Sequence, residues 1–363
     1  MAASSRNSRG TNTTNTRFWN NSFEGGVDVN TLDVPNDAGS RPATSAALAW
    51  LVQNRQSATL PVMFLLVFVI FSLQAPNFLT VDNLTNVARQ SVYLLIVSLG
   101  QFIVIVNGGL DLSVGSTVSL TSVVGALVMA AVYAAFPEFQ LLALLAGVGT
   151  AVAIGVGAGL VNGLGISVLR IPPFMMTLGM GSVLFGVTLL VSGGMPIYGL
   201  PPMLGEWFGF GRVLGFPIAA VVALVLVALV YVLMEWTRFG RQLYAAGGNA
   251  KAAALSGVNT VRVTIAAFTL ASLLAALSGL LLTARLGTGE ANVGTSLPLE
   301  SIAACVISGV ALAGGRGRTL AVLLGTLLIM LVQNGLNLMQ VGAYAQTMAT
   351  GAILIFAMAI ARH

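Results

Sequence analysis

From about Ser57 to Ile360 the chain repeats one pattern: a long run of apolar residues, a short polar or proline-containing break, then another apolar run. The runs are Ala58–Leu73, Leu84–Val106, Gly115–Ala134, Leu141–Leu169, Phe174–Val191, Leu214–Met234, Val261–Leu282, Ile302–Ala313, Leu320–Leu338 and Thr347–Ile360. They do not alternate apolar with polar, so barrel strands are disfavoured, and lipid demands backbone hydrogen bonds satisfied within each segment. A span needs about 20 apolar residues, so the expected fold is all-α: a polytopic transmembrane helix bundle of about ten spans. The eighth run is short and bounded by glycines, so a broken or re-entrant segment is expected there. Gly155, Gly159 and Gly163 fall four residues apart in the fourth run. That spacing predicts one small-residue ridge for close helix packing.

Composition agrees with lipid as the solvent: 7% of residues are charged and the mean hydropathy is +0.92. Residues 1–54 differ, being rich in Ser, Asn, Thr and Gly. That stretch buries too little apolar surface to fold alone and is expected to be a disordered cytoplasmic tail. No apolar h-region follows its early arginines, so it does not read as a signal peptide. Residues 55–363 read as one transmembrane domain. The net charge of +5 points to topology rather than to nucleic acid. With the amino end inside, Arg6, Arg9, Arg17, Arg41, Arg55, Arg170, Arg238, Arg241, Lys251, Arg262, Arg316, Arg318 and Arg362 are cytoplasmic. Only Arg89, Arg212 and Arg285 fall on the outer side. This asymmetry fits the positive-inside rule with both ends cytoplasmic.

The segment Glu235–Asn259 is the longest polar interruption within the apolar region. Asn249 is a good N-cap and Gly257 a good C′ stop around an Ala-rich stretch of about two turns. So short a helix needs a surface to lie against. It reads either as a docking helix for a soluble cytoplasmic partner or as a basic connecting loop. Asp111, in Asn107-Gly-Gly-Leu-Asp-Leu-Ser113, is an acid close to the membrane and a functional candidate; capping the third span is the plainer role. Glu300 precedes the eighth run and admits the same explanation. Asn107, Thr177 and Asn334 are candidates for a polar path or for hydrogen bonds between helices. No Gly-x-x-x-x-Gly-Lys-Ser/Thr, His-Glu-x-x-His or Gly-x-Ser-x-Gly pattern occurs, so no catalytic, cofactor-binding or metal residue is expected. The lone Cys305 lies in an apolar run and the lone His363 ends the chain.

Six segments in order resemble signatures of bacterial ABC sugar-importer permeases of the ribose type. They are Asn107–Ser116, Ile171–Gly179, Phe239–Asn249, Leu299–Ala304, Gly314–Gly317 and Gln333–Leu336. The resemblance covers roughly residues 60–361; it departs at Pro173, where a small residue is usual, and in the long tail. It implies a multi-pass permease of the bacterial inner membrane, working as a homodimer with a second copy of itself. It further implies a cytoplasmic ATP-binding subunit carrying ATP and magnesium, and a periplasmic protein that delivers a ribose-like or other simple sugar. By the same resemblance, Arg238, Phe239, Gly240, Arg241, Gly247, Gly248, Asn249, Ser256 and Gly257 belong to the loop that couples to the ATPase. Two other readings stand beside it: an ion-coupled secondary transporter using Asp111 or Glu300, and a non-transporting membrane scaffold.

Overall fold

The structure, a computed structural model, describes residues 55–342 together with 344–346, 348, 351 and 352. The tail at 1–54 and most of the tenth apolar run lie outside the described residues. Among the described residues eleven helices carry the fold: α1 (Arg55–Gln74), α2 (Val81–Val106), α3 (Val114–Ala135), α4 (Gln140–Ser167), α5 (Pro173–Ser192), α6 (Ile218–Trp236), α7 (Arg238–Gly248), α8 (Ala250–Leu255), α9 (Thr260–Leu286), α10 (Leu297–Ile307) and α11 (Thr319–Leu338). A short helical turn (Pro202–Leu204) running into a π-helical turn (Gly205–Gly209) lies between α5 and α6.

Seven of these helices are long and apolar enough to cross a membrane: α2, α3, α4, α5, α6, α9 and α11. α1 contributes a shorter apolar stretch, Thr59–Gln74. The bundle is organised around α2. In its most apolar window 94% of the residues are buried, against 22% for α5 and 28% for α6, which leaves the last two at the periphery with apolar faces outward. α2 begins at the Thr80 cap, whose hydroxyl accepts the Asn83 N–H at 3.3 Å.

The most extensive helix contact joins α4 to α9, and the glycine ladder makes it. Gly163 faces Ile265, Gly159 faces Thr269 and Gly155 faces Leu273, an antiparallel register of one rung per turn. A methyl group on Gly163 or Gly155 would stand 2.6 or 2.7 Å from the opposing Cα. Only hydrogen at those positions lets the two backbones touch.

The structure departs from the sequence reading in three elements. The sixth span starts at Ile218 rather than Leu214, because Arg212–Val213 (β1) pairs with Phe216–Pro217 (β2) in a small antiparallel hairpin. Leu214 and Gly215 turn it with φ of 51° and 84°, the left-handed pair that suits the twist of a two-residue hairpin. The eighth run holds the short, interrupted helix expected of a broken segment, but that helix lies earlier than Ile302–Ala313. α10 covers Leu297–Ile307, about 16 Å of helix against a hydrocarbon core of about 30 Å. Beyond it Gly309, Gly314 and Gly315 all adopt positive φ. Finally, Arg238–Gly248 is a helix, where the sequence reading placed only connecting chain ahead of Asn249.

Candidate functional site

α7 forms on three turns of spaced small or apolar residues despite its glycines. Gly240, Leu243 and Ala246 are buried on one face, and the Thr237 hydroxyl caps the helix by accepting the Gly240 N–H at 3.3 Å. Gly240 is pressed against the end of α6, where an added methyl would meet the Leu233 carbonyl oxygen at 2.7 Å. Asn249 then ends α7 and caps α8, its side-chain oxygen accepting the Ala252 N–H at 3.0 Å. α8 closes with Gly257 at φ 83°. There the Gly257 and Val258 N–H groups donate to Ala254 and Ala253 carbonyls, both at 3.0 Å, which is a Schellman stop. The opposite face of this unit is exposed: Arg238, Arg241, Gly248, Asn249, Lys251, Ser256 and Leu255, the last 91% accessible.

The buried face of α7 meets the end of α2 backbone to backbone. Gly247 packs against the Val106 carbonyl, leaving no room for a methyl group there, and such a methyl would also stand 2.9 Å from the Gly315 nitrogen. The same Val106 carbonyl accepts the Gly315 N–H at 2.9 Å. Gly314, at φ 90°, lies against the Gly247 carbonyl and the Gly108 backbone. The Tyr244 hydroxyl fastens the second side by donating to the Gly317 carbonyl at 3.0 Å. Burial, with the Glu235 charge adding to it and Arg318 opposing, pushes that hydroxyl up to about 12, so it stays a donor. Glycines from three separate segments thus form one junction between α7, α2 and the chain leading to α11.

The polar turn Asn107–Ser113 continues from this junction. The Asn107 amide donates to the Thr264 hydroxyl of α9 at 3.0 Å. The Thr177 hydroxyl of α5 donates to the Leu110 carbonyl at 3.1 Å. Asp111 is fully buried, and one carboxylate oxygen accepts the Ser113 N–H at 2.8 Å. The Gln101 amide, oriented by its partners, brackets the Asp111 backbone, donating to its carbonyl at 3.0 Å and accepting its N–H at 3.2 Å. Asn162 of α4 donates to the Ser113 hydroxyl at 2.8 Å. The second Asp111 oxygen has no hydrogen-bond partner among the described residues, and burial lifts the carboxyl to about 6. Asp111 therefore closes the turn one residue ahead of α3, rather than capping the first N–H groups within it.

The structure brings Asn107, Asp111 and Thr177 together and leaves Glu300 and Asn334 apart. Glu300 sits in the first turn of α10, not ahead of it, within hydrogen-bonding reach of Ser296 and Gln333. Asn334 pairs reciprocally with Asn83, the two amides donating to each other at 2.9 and 3.0 Å, and so ties α11 to α2. Gln101, Asn162, Tyr244 and Thr264 escaped the sequence reading. Gln101 and Asn162 are the single amides within the long apolar stretches 91–106 and 141–166, a signal the sequence carries.

On its other flank the polar turn borders a cleft of about 270 Å³ between α3, α5 and the start of α10. Ser116, Ser119, Ser182 and Thr295 contribute hydroxyl groups to its lining, which contains no charged side chain.

Comparison with known proteins reads the same chain from another direction. Residues 83–358 match the model of the branched-chain amino acid transport system / permease component family. The chain belongs to that family. It is 35% identical over 315 residues to the ribose import permease protein RbsC of Escherichia coli strain K12, covering 86% of this chain and 94% of that one. It is 38% identical over 307 residues to the ribose import permease protein of Bacillus subtilis strain 168, covering 83% and 90%. To the D-allose transport system permease protein of Escherichia coli it is 31% identical over 332 residues, covering 92% and 98%. No solved structure matches. The chain is thus a multi-pass cell-membrane permease.

Proposed function

We propose that this permease is the transmembrane subunit of an ATP-binding cassette importer that carries a monosaccharide across the bacterial inner membrane. The observation that carries the reading is the junction of α7 with α2. An exposed, doubly capped helical foot rests its other face directly on the end of the most buried helix of the bundle. That arrangement suits a docking surface for a cytoplasmic ATPase, with residues 235–259 as the coupling segment. Work applied at the foot reaches the polar turn and, through Leu112 and Gly115, the hydroxyl-lined cleft. A neutral sugar needs hydroxyl partners more than charges, and the cleft supplies them. The sugar permeases among the relatives support the substrate class.

Charge placement supports both ends being cytoplasmic. Arg238, Arg241, Lys251, Arg316 and Arg318 cluster in or next to the foot and the glycine junction. Arg89 lies in the first half of α2 and Arg285 in the last turn of α9, both away from the junction. A ten-span chain, a second copy of the permease, and a periplasmic binding protein that delivers the sugar complete the proposed assembly; ATP and magnesium belong to the ATPase.

Reconstitution tests this. Proteoliposomes holding the permease, its ATPase and its binding protein should take up ribose, allose or galactose only when ATP is present. Uptake indifferent to ATP but abolished by an uncoupler would replace the proposal with an ion-coupled carrier. Orientation is checked separately by a cysteine at Lys251, since the single native cysteine is buried; labelling from the periplasmic side would overturn the topology.

A further inference from the structure

Two arginines in the half of the bundle away from the glycine junction have no acidic partner among the described residues. Arg89, on α2, is 9% exposed, and its guanidinium lies over the Phe210 ring at 5.6 Å from the centroid. Among the described residues its side chain makes one hydrogen bond, a long one of 3.5 Å to Asn86, and its Nε has no partner. Tyr93, one turn further along α2 and 5% exposed, has the Arg285 guanidinium over its ring at 5.8 Å, and its hydroxyl makes no aligned hydrogen bond. Arg285 lies within hydrogen-bonding reach of that hydroxyl, and Arg89 bears on it electrostatically. Buried or half-buried cations without a counter-charge are costly, and guanidinium is the side chain best matched to a phosphate.

The geometry points to a phosphate-binding pocket formed by Arg89, Tyr93 and Arg285. The source its surroundings favour is the headgroup of a membrane phospholipid. Arg285 lies in the last turn of α9 and is partly exposed, so it forms the mouth, while Arg89 and Tyr93 form the floor. The segment covering the pocket presents Trp207, Phe210, Leu214 and Phe216 outward, between 53% and 95% accessible. Aromatic and apolar side chains of this kind belong at the membrane–water boundary, where phosphates concentrate. The pocket is separate from the foot and the cleft, and its test does not depend on transport.

Native mass spectrometry of the purified full-length protein reads the pocket directly. Phosphatidylglycerol should be retained roughly tenfold or more over diacylglycerol with the same chains, as expected when charged hydrogen bonds are lost. Arg285→Gln should remove most of that preference, and Tyr93→Phe, which keeps the ring under Arg285, should weaken it by a smaller factor. Inorganic phosphate provides the second arm. If it raises the unfolding temperature of the parent protein but not of Arg285→Gln while phosphatidylglycerol is not preferred, the pocket serves free phosphate. Equal retention of diacylglycerol, or a preference unchanged in both variants, with no phosphate effect, overturns the inference.

Discussion

Gly247 and Gly248 are adjacent glycines with opposite surroundings, and replacing each by alanine separates the junction from the exposed face of α7. At Gly248 an added methyl meets nothing within 4 Å, and its φ is not in the left-handed region. Gly248→Ala should therefore stabilise α7 by about 0.5–1 kcal/mol through helix propensity alone. At Gly247 the same gain is opposed by overlap with the Val106 carbonyl and with the Gly315 nitrogen at 2.9 Å, both backbone atoms that cannot rotate away. Relief requires α7 and the end of α2 to part by more than about 1 Å, and such overpacking costs roughly 1–3 kcal/mol or more. The net expectation is a loss of about 1–2 kcal/mol for Gly247→Ala, placing the two variants on opposite sides of the parent. Thermal unfolding of the purified proteins in one detergent measures the order. Uptake per ATP hydrolysed in proteoliposomes should fall for Gly247→Ala and hold for Gly248→Ala. If Gly247→Ala is as stable and as well coupled as Gly248→Ala, the junction is not a rigid contact and the reasoning fails.

Asn249→Ala should cost about 1 kcal/mol of α8 stability by removing the cap on the Ala252 N–H. Faster amide exchange across residues 250–255, restored by Asn249→Asp, is the measurement. Burial holds the Asp111 carboxyl at about 6, above its ordinary 3.8, so the folded protein takes up a proton before the unfolded chain does. Acidification from pH 7 towards pH 4 should then raise the contribution of this residue to stability, and Asp111→Asn should flatten that part of the profile; an unaltered profile would assign the pH dependence elsewhere. A double-mutant cycle on Asn83 and Asn334 should return a coupling of about 0.6–1.7 kcal/mol, the range for hydrogen bonds between membrane helices. A value near zero would mean that the amide pair does not hold α11 to α2.

Much of the bundle was legible because its determinants are local. Apolar length fixes a span, Pro76 and Pro137 break one, and the ladder Gly155–Gly159–Gly163 announces a close neighbour without naming it. The neighbour itself, α9, was not legible, since nothing in its own sequence marks Ile265, Thr269 and Leu273 as the facing rungs. α8 could be foreseen because Asn249 and Gly257 bracket it; α7 could not, because three of its residues are glycines, which disfavour helix in isolation. Contact with α2 and α6 overrides that preference. The same holds for the candidate site. Asn107-Gly-Gly, Gly247-Gly248 and Gly314-Gly315 each read as loose chain, and only the fold shows that they are one contact. The hairpin at Leu214 was missed because a leucine at positive φ gives no turn signal.

The backbone contact at Gly247 has a mechanical meaning beyond its strength. Side chains cushion most helix contacts, because they can change rotamer and absorb small displacements before the neighbouring backbone moves. Between Gly247 and Val106 no such slack exists. A fraction of an ångström applied to α7 is delivered whole to α2, and α2, enclosed along 94% of its apolar window, has no free side into which the motion can dissipate.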